Sequence, residues 1–284
     1  MTARLKNYAL LIRLDKPIGI LLLLWPTLWA LWLAGHGHPN SQIVAIFIAG
    51  VVLMRSAGCA VNDFADQHVD LHVARTHTRV LASGRIKSRE ALAIAAMLAL
   101  IAFLLVLFCN PLTIALSFIG ALLAITYPFL KRITHLPQIG LGFSFAWGVP
   151  MAFAAEHNTI PPNAWLVFAI AVLWPIIYDT MYAMTDRIDD KKIGVKSTAI
   201  LLGDRDVLVL VLLQFIMMLL LVMMGFLFHL HTIYFISLIV VVVLFSYQFL
   251  LIRNRDPAAC FKAFLNNHWV GFTIFIGLFL SYLQ

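Results

Sequence analysis

The sequence predicts an all-α, polytopic membrane protein with about nine transmembrane helices, and three observations carry that prediction. Hydrophobic residues fill 62% of the 284 positions and charged residues only 12%, whereas a soluble domain is typically about one-quarter charged. The apolar residues gather into nine runs, each near the ~20 residues that a helix needs to cross the hydrocarbon core. Alternating the intervening loops between two sides places every Lys and Arg except Arg55 on the side of the N-terminus. One helix more or fewer would scramble that segregation, so it also supports the odd number. By the positive-inside rule the N-terminus and its loops are cytoplasmic and the C-terminus is periplasmic. The net charge of +7 belongs to those short loops. Nucleic-acid binding would need basic residues interleaved with exposed aromatics on one face, so no nucleic acid is expected as a partner.

Residues 1–17 carry Arg4, Lys6, Arg13 and Lys16 with Leu5, Tyr8 and Ile12 at helical spacing, the pattern of a short helix lying on an anionic leaflet. The stretch 18–34 reads as a retained first span. It contains Trp25, Trp29 and Trp32 and lacks the small-x-small cleavage pattern of a signal peptide. Further apolar runs cover roughly 42–61, 91–108, 112–130, 138–155, 163–185, 207–228, 231–252 and 267–283. Breaks on the far side are short and carry Pro39, Asn110-Pro111, Asn158 with Pro161-Pro162, and His229 with His231. Those on the near side are longer and basic. The chain, 1–284, reads as one integral-membrane domain. Its N-terminal segment has no Arg/Ser-rich transit character, which favours a bacterial inner membrane over a mitochondrion. Cys59, Cys109 and Cys260 form no C-x-x-C pair and are expected to be buried apolar side chains.

Two acidic stretches stand where long apolar runs end: Asn62-Asp63-Phe64-Ala65-Asp66-Gln67-His68-Val69-Asp70 and Asp186-Arg187-Ile188-Asp189-Asp190. Carboxylates at the rim of a membrane helix are costly and mark function. On a helix Asn62 and Asp66 share one face, Asp70 continues it, and Asp186 and Asp190 repeat the spacing. Two facing acidic rims make an oxygen cage suited to Mg²⁺, which keeps several waters and is completed by substrate phosphate oxygens. Arg75 and Arg79, four apart, make a fork for phosphate, and Lys191, Lys192 and Lys196 follow Asp190. Tyr127 and Lys131 put a phenol and an ammonium on one face at the same level. Deeper, Arg55 lies seven residues before Asn62 and Asp179 seven before Asp186. Either these two neutralise each other, or Arg55 faces the cavity and receives an anionic substrate. His68, His72, His77 and His135 lie near the rim, but none has companion ligands for zinc.

These residues give the chain its family likeness. It resembles the UbiA-type intramembrane prenyltransferases, specifically the subgroup that acts on 4-hydroxybenzoate, over nearly its whole length. Beyond the acidic motifs, the likeness rests on Arg13-Leu14-Asp15-Lys16-Pro17-Ile18-Gly19 leading into Leu24-Trp25-Pro26-Thr27-Leu28-Trp29, and on the block from Tyr178 to Gly203. The segments starting at Tyr127 and Trp147 add to it. Val80 departs from the usual Arg-Pro-Leu of the loop, which loosens a turn but removes no charge. The resemblance implies nine helices around a central cavity capped by cytoplasmic loops, with Mg²⁺ as cofactor and a polyprenyl diphosphate and 4-hydroxybenzoate as substrates. It places metal and diphosphate binding on Asn62, Asp66, Asp186 and Asp190, with Asp63, Asp70 and Asp189 in support. It makes Arg75, Arg79, Lys131 and Lys196 diphosphate contacts, and has Tyr127 orient or shield the allylic carbon. The benzoate carboxylate needs a cation, for which Arg55 and Arg132 are candidates, with Arg55, paired in depth with Asp179, preferred. The implied reaction is polyprenyl transfer in ubiquinone biosynthesis. The rival readings are a sister enzyme acting on dihydroxynaphthoate, homogentisate or haem, and an ion-coupled transporter. Neither explains the motif blocks together with acids and bases at a single rim.

Overall fold

The computed structural model describes residues 3–67, 69–72 and 76–284, and among them every regular element is helical. The first helix, α1 (Ala3–Leu11), is the amphipathic segment. Leu11 is fully buried against Ala57, Ala60, Val80 and Leu81, and the Tyr8 hydroxyl donates to Glu90 Oε2 at 3.0 Å. Leu5 and Leu14 stay exposed, as suits a helix lying along a membrane surface.

Two central spans follow. The short α2 (Ile18–Ala34) is anchored by Trp29, fully buried, whose Nε1 donates to the Gly271 carbonyl at 3.1 Å. The long α3 (Ser41–Asp66) starts at Asn40, whose side chain accepts from the Gln42 and Ile43 amides, satisfying two N–H groups that the helix cannot. It ends within the first acidic motif. Next come α4 (Ser88–Val106) and α5 (Pro111–Thr126), the latter capped by Asn110 with proline at its first turn. Past α5 the chain tightens into a 3₁₀ turn at Tyr127–Arg132.

Where one span was expected at 138–155, two helices stand end to end, α6 (Pro137–Ala146) and α7 (Gly148–His157). Pro150 has no N–H to return to the Ala146 carbonyl, and that missing bond accounts for the break at Trp147. The next helix, α8 (Ala164–Ile193), outruns its expected end at 185 by about two turns. Polar side chains ended the hydropathy signal there but not the helix. The stop comes at Gly194, whose φ of 72° lets its N–H close on the Asp190 carbonyl.

The last elements are the short α9 (Thr198–Leu202), then α10 (Asp206–Leu227), α11 (Thr232–Ile252) and α12 (Pro257–Ser281). Helix α12 starts ten residues before the apolar run at 267, because Asp256 caps it by accepting from the Ala259 amide at 2.8 Å. Among the described residues eight helical stretches are long and apolar enough to span a bilayer, and the shorter Ile18–Ala34 makes the ninth. The nine-span expectation therefore holds.

Helices α2, α7, α8 and α12 carry the core. The Trp29 and Trp174 rings lie 5.3 Å apart, and Trp174 Nε1 donates to Asn267 Oδ1 at 3.2 Å. A ladder of amides, Gln214 to Gln248 at 2.9 Å and Gln248 to Asn266 at 3.0 Å, joins α10, α11 and α12. Within lipid such bonds and close packing hold helices together, since the hydrophobic effect does not distinguish a neighbour from a lipid tail. Large apolar side chains such as Phe108, Phe118, Phe215 and Val243 face outward.

Candidate active site

The end of the bundle that bears both acidic motifs encloses a cavity of about 320 Å³. Its wall is built from the ends of α3 and α8, the 3₁₀ turn after α5, the link between α1 and α2, and the start of α12. Of the residues expected in a site, Arg55, Asn62, Asp63, Asp66, Asp70, Arg79, Tyr127, Lys131, Asp179, Asp186, Asp190 and Lys196 all line it. Arg75 lies outside the described residues. Arg132 and Asp189 are not on the wall. The Arg132 guanidinium donates to the Ala65 carbonyl and stacks over Phe129, 5.6 Å from its centroid. Asp189 pairs with Lys192 at 3.2 Å on the surface.

The acids on α3 are matched by cations. Asp63, 2% exposed, holds Arg13 Nη2 at 2.7 Å and Arg79 Nη1 at 3.3 Å on a single oxygen. Arg79 continues to Asp70 Oδ2 at 2.8 Å. Asp63 is thus a clamp between the N-terminal link and the loop after α3. Asp66 points further in: Lys131 Nζ lies 2.5 Å from its Oδ2, while Oδ1 is buried with no partner among the described residues. Arg13 and Lys16, expected only as basic residues of the leaflet-bound segment, also stand on the wall. The signal that links Arg13 to the site is an ion pair spanning fifty residues, which spacing along the chain does not reveal.

Deeper in the cavity, Arg55 Nη1 donates to Cys59 Sγ at 2.8 Å and the guanidinium stands over Phe145, 5.8 Å from its centroid. Its Nε has no partner among the described residues. Gly19 makes the room, since a Cβ there would sit 2.5 Å from Arg55 Nη2. Arg55 and Asp179 share the cavity without forming an ion pair among the described contacts, and Gln138 is the polar neighbour of Asp179. Cys59 is therefore more than an apolar filler. Tyr178, Tyr182, Phe261 and Phe264 add aromatic wall, and the Tyr178 hydroxyl, buried, has no partner among the described residues.

Arg55, Tyr127 and Phe145 also belong to a second cavity of about 200 Å³ that continues between α2, α3, α4, α5 and α7 and is otherwise lined almost entirely by apolar or small side chains. The pair of cavities thus runs from a charged chamber, past one cation and one phenol, into an apolar one.

The donor set fits a divalent metal of the hard, oxygen-seeking kind. Asn62, Asp66, Asp186 and Asp190 face one chamber from two helices, and Asp66 Oδ1 is an unused buried acceptor. Among the described residues no three carboxylates, histidines or cysteines converge tightly enough to enclose an ion by themselves. That spacing suits a cation completed by phosphate oxygens and water rather than an all-protein cage.

A multi-pass helical bundle with a charged chamber opening into an apolar one defines an intramembrane protein that handles an amphiphilic anion. Residues 23–277 match the UbiA prenyltransferase family, and the chain belongs to that family. It is 55% identical over 279 residues to a 4-hydroxybenzoate octaprenyltransferase from Coxiella burnetii, covering 98% of this chain and 97% of that one. Among solved structures it resembles the apo form of a UbiA homologue from Aeropyrum pernix K1, with TM-score 0.81 and 24% identity over 92% of this chain and 97% of that one. It also resembles a UbiA homologue from Archaeoglobus fulgidus bound to GPP and Mg²⁺, with TM-score 0.75 and 17% identity over 98% and 99% of the two chains.

Proposed function

We propose that this protein transfers a polyprenyl group from an all-trans polyprenyl diphosphate to the ring carbon ortho to the hydroxyl of 4-hydroxybenzoate, releasing diphosphate, as a step of ubiquinone biosynthesis. The observation that carries the reading is the junction at Arg55 and Tyr127, where a chamber rich in carboxylates and ammonium groups meets an apolar one. A diphosphate with a long hydrocarbon tail has those two halves. The relatives more than half identical over nearly the full chain support the same acceptor.

Asn62, Asp66, Asp186 and Asp190 would hold Mg²⁺, which when bound supplies positive charge to the diphosphate oxygens. Arg79, Lys131 and Lys196, with Arg13 and Lys16 beside them, neutralise the charge that grows on the leaving group. The bond from the allylic carbon to the diphosphate oxygen breaks with its electron pair going to the diphosphate. The ortho carbon of the phenol supplies the pair for the new carbon–carbon bond, and the ring then loses its proton to regain aromaticity. Tyr127 and Phe145 flank the place where the allylic carbon becomes cationic, and their faces stabilise it while the apolar wall keeps water out. The Arg55 guanidinium receives the benzoate carboxylate. Asp179, with Gln138, shapes that same floor.

The chain functions as one membrane domain over 1–284, with N-terminus and charged chamber cytoplasmic, C-terminus periplasmic, in a bacterial inner membrane. The test is product formation by purified protein given an allylic diphosphate and 4-hydroxybenzoate, with Mg²⁺ or with chelator, beside dihydroxynaphthoate. Mg²⁺-dependent prenylation of the benzoate alone is expected. Prenylation of the naphthoate instead, or none of either by folded protein, overturns the reading.

A further inference from the structure

The apolar cavity has four glycines on its wall, and they divide into two kinds. A Cβ at Gly120 would lie 2.9 Å from the Trp147 ring, and one at Gly148 would lie 2.9 Å from Thr27 Oγ1. These two are small because helices meet there. At Gly50 and Gly58 of α3 an added Cβ meets nothing within 4 Å. Glycine weakens a helix interior relative to alanine, and no packing contact asks for it at either position. What both positions give is width in the cavity.

Their placement is ordered. Phe47, Gly50, Val51, Met54, Arg55 and Gly58 line the cavity at intervals of three and four, so one stripe of α3 forms that wall. Gly58 lies beside the Arg55 junction, and Gly50 lies eight residues deeper, about 12 Å along the helix axis. On α3 the deepest residues that line the apolar cavity are Ile46 and Phe47, both buried.

We propose that Gly50 and Gly58 gauge the polyprenyl tail: Gly58 admits its first units from the junction, and Gly50 keeps the deep end open, so that Gly50 sets how long a tail is accepted. This rests on the prenyl-transfer reading above. A tail too short to reach Gly50 is indifferent to what stands there, and a longer one is not.

The experiment compares kcat/KM for geranyl and octaprenyl diphosphate, with 4-hydroxybenzoate as acceptor, in wild type, Gly50→Phe and Gly58→Phe. A blocked hydrophobic slot discriminates by about tenfold or more. Gly50→Phe is expected to lower the octaprenyl value by about that factor while leaving geranyl within about twofold of wild type, and Gly58→Phe to lower both. An octaprenyl-to-geranyl ratio unchanged by Gly50→Phe, whether both substrates are spared or both fall, overturns the proposal and means that the tail leaves the protein above Gly50. If Gly50→Phe does not yield folded protein, Gly50→Leu must still shift the ratio in the same direction, and an unshifted ratio overturns the proposal equally. Wild-type protein inactive on both diphosphates would instead overturn the prenyl-transfer reading, and the gauge with it.

Discussion

The two acidic motifs look alike in sequence and are held in opposite ways. On α3 the carboxylates are compensated from inside the chamber: Asp63 by Arg13 and Arg79, Asp70 by Arg79, Asp66 by Lys131. On α8 the support stands behind the motif. Arg187, next to Asp186, reaches Asp206, fully buried at the start of α10, which also accepts from Arg255 Nε at 2.9 Å and from its neighbour's amide at 2.7 Å. The first motif is an electrostatic cluster whose cations also line the chamber. The second is a rigid post braced from the far side by the link between α11 and α12. In the proposed reaction, binding therefore has to rearrange the ion pairs on α3, while the Arg187–Asp206 brace holds the end of α8 in place.

The comparison breaks most visibly at the proposed metal ligands. Asp66→Asn and Asp190→Asn each remove a charge aimed at the diphosphate, and turnover at saturating substrate is expected to fall by at least about a hundredfold. Asp66→Asn also leaves Lys131 facing a neutral amide, so it should lower the unfolding midpoint of the purified protein. An unchanged midpoint would mean that the Lys131 contact contributes nothing to the empty site.

Asp206→Ala addresses the brace. It leaves two guanidinium groups without their shared carboxylate, and removing one member of a buried ion pair costs about 3–5 kcal/mol. A clear loss of stability is expected, together with a raised Mg²⁺ requirement, because the α8 rim loses its bracing. Asp63→Asn is the counterpart on α3. The expected loss is smaller, about 1–3 kcal/mol, since Arg79 keeps Asp70. Its signature is local: the link at Arg13, whose φ of 59° is held by the Asp63 contact, becomes a preferred site of limited trypsin cleavage. A cleavage pattern unchanged by the substitution would remove the clamp from the account.

How much of this was visible in the chain depended on whether the signal was local. Nine spans followed from hydropathy and loop charge, and the carboxylates at the rims followed from helical spacing. The end of α8 did not, because Asp186-Arg187-Ile188-Asp189-Asp190-Lys191-Lys192 is polar yet free of helix breakers, and only Gly194 stops it. The division of α6 from α7 was written in Pro150, but a single apolar run concealed it. Arg13 and Asp206 became site or support residues only through contacts between distant segments, and Lys16 through its place on the chamber wall. Arg55 and Asp179 stand at matched offsets from their motifs, which fixes depth along each helix but not what each side chain touches.

Arg132 makes the smallest of these effects and the sharpest comparison with Arg55. It follows Lys131 directly, and in the 3₁₀ turn that they occupy successive side chains stand about 120° apart, so Lys131 enters the chamber while Arg132 caps the Ala65 carbonyl at the end of α3. Arg132→Ala should therefore cost about 1 kcal/mol of stability, the worth of one exposed hydrogen bond, and leave the KM for 4-hydroxybenzoate near the wild-type value. Arg55→Ala should do the reverse, raising the KM for the benzoate well above any change in that for the diphosphate. If Arg132→Ala raises the benzoate KM and Arg55→Ala does not, the carboxylate sits at the mouth of the chamber rather than at the junction, and the acceptor approaches from the opposite end of the cavity.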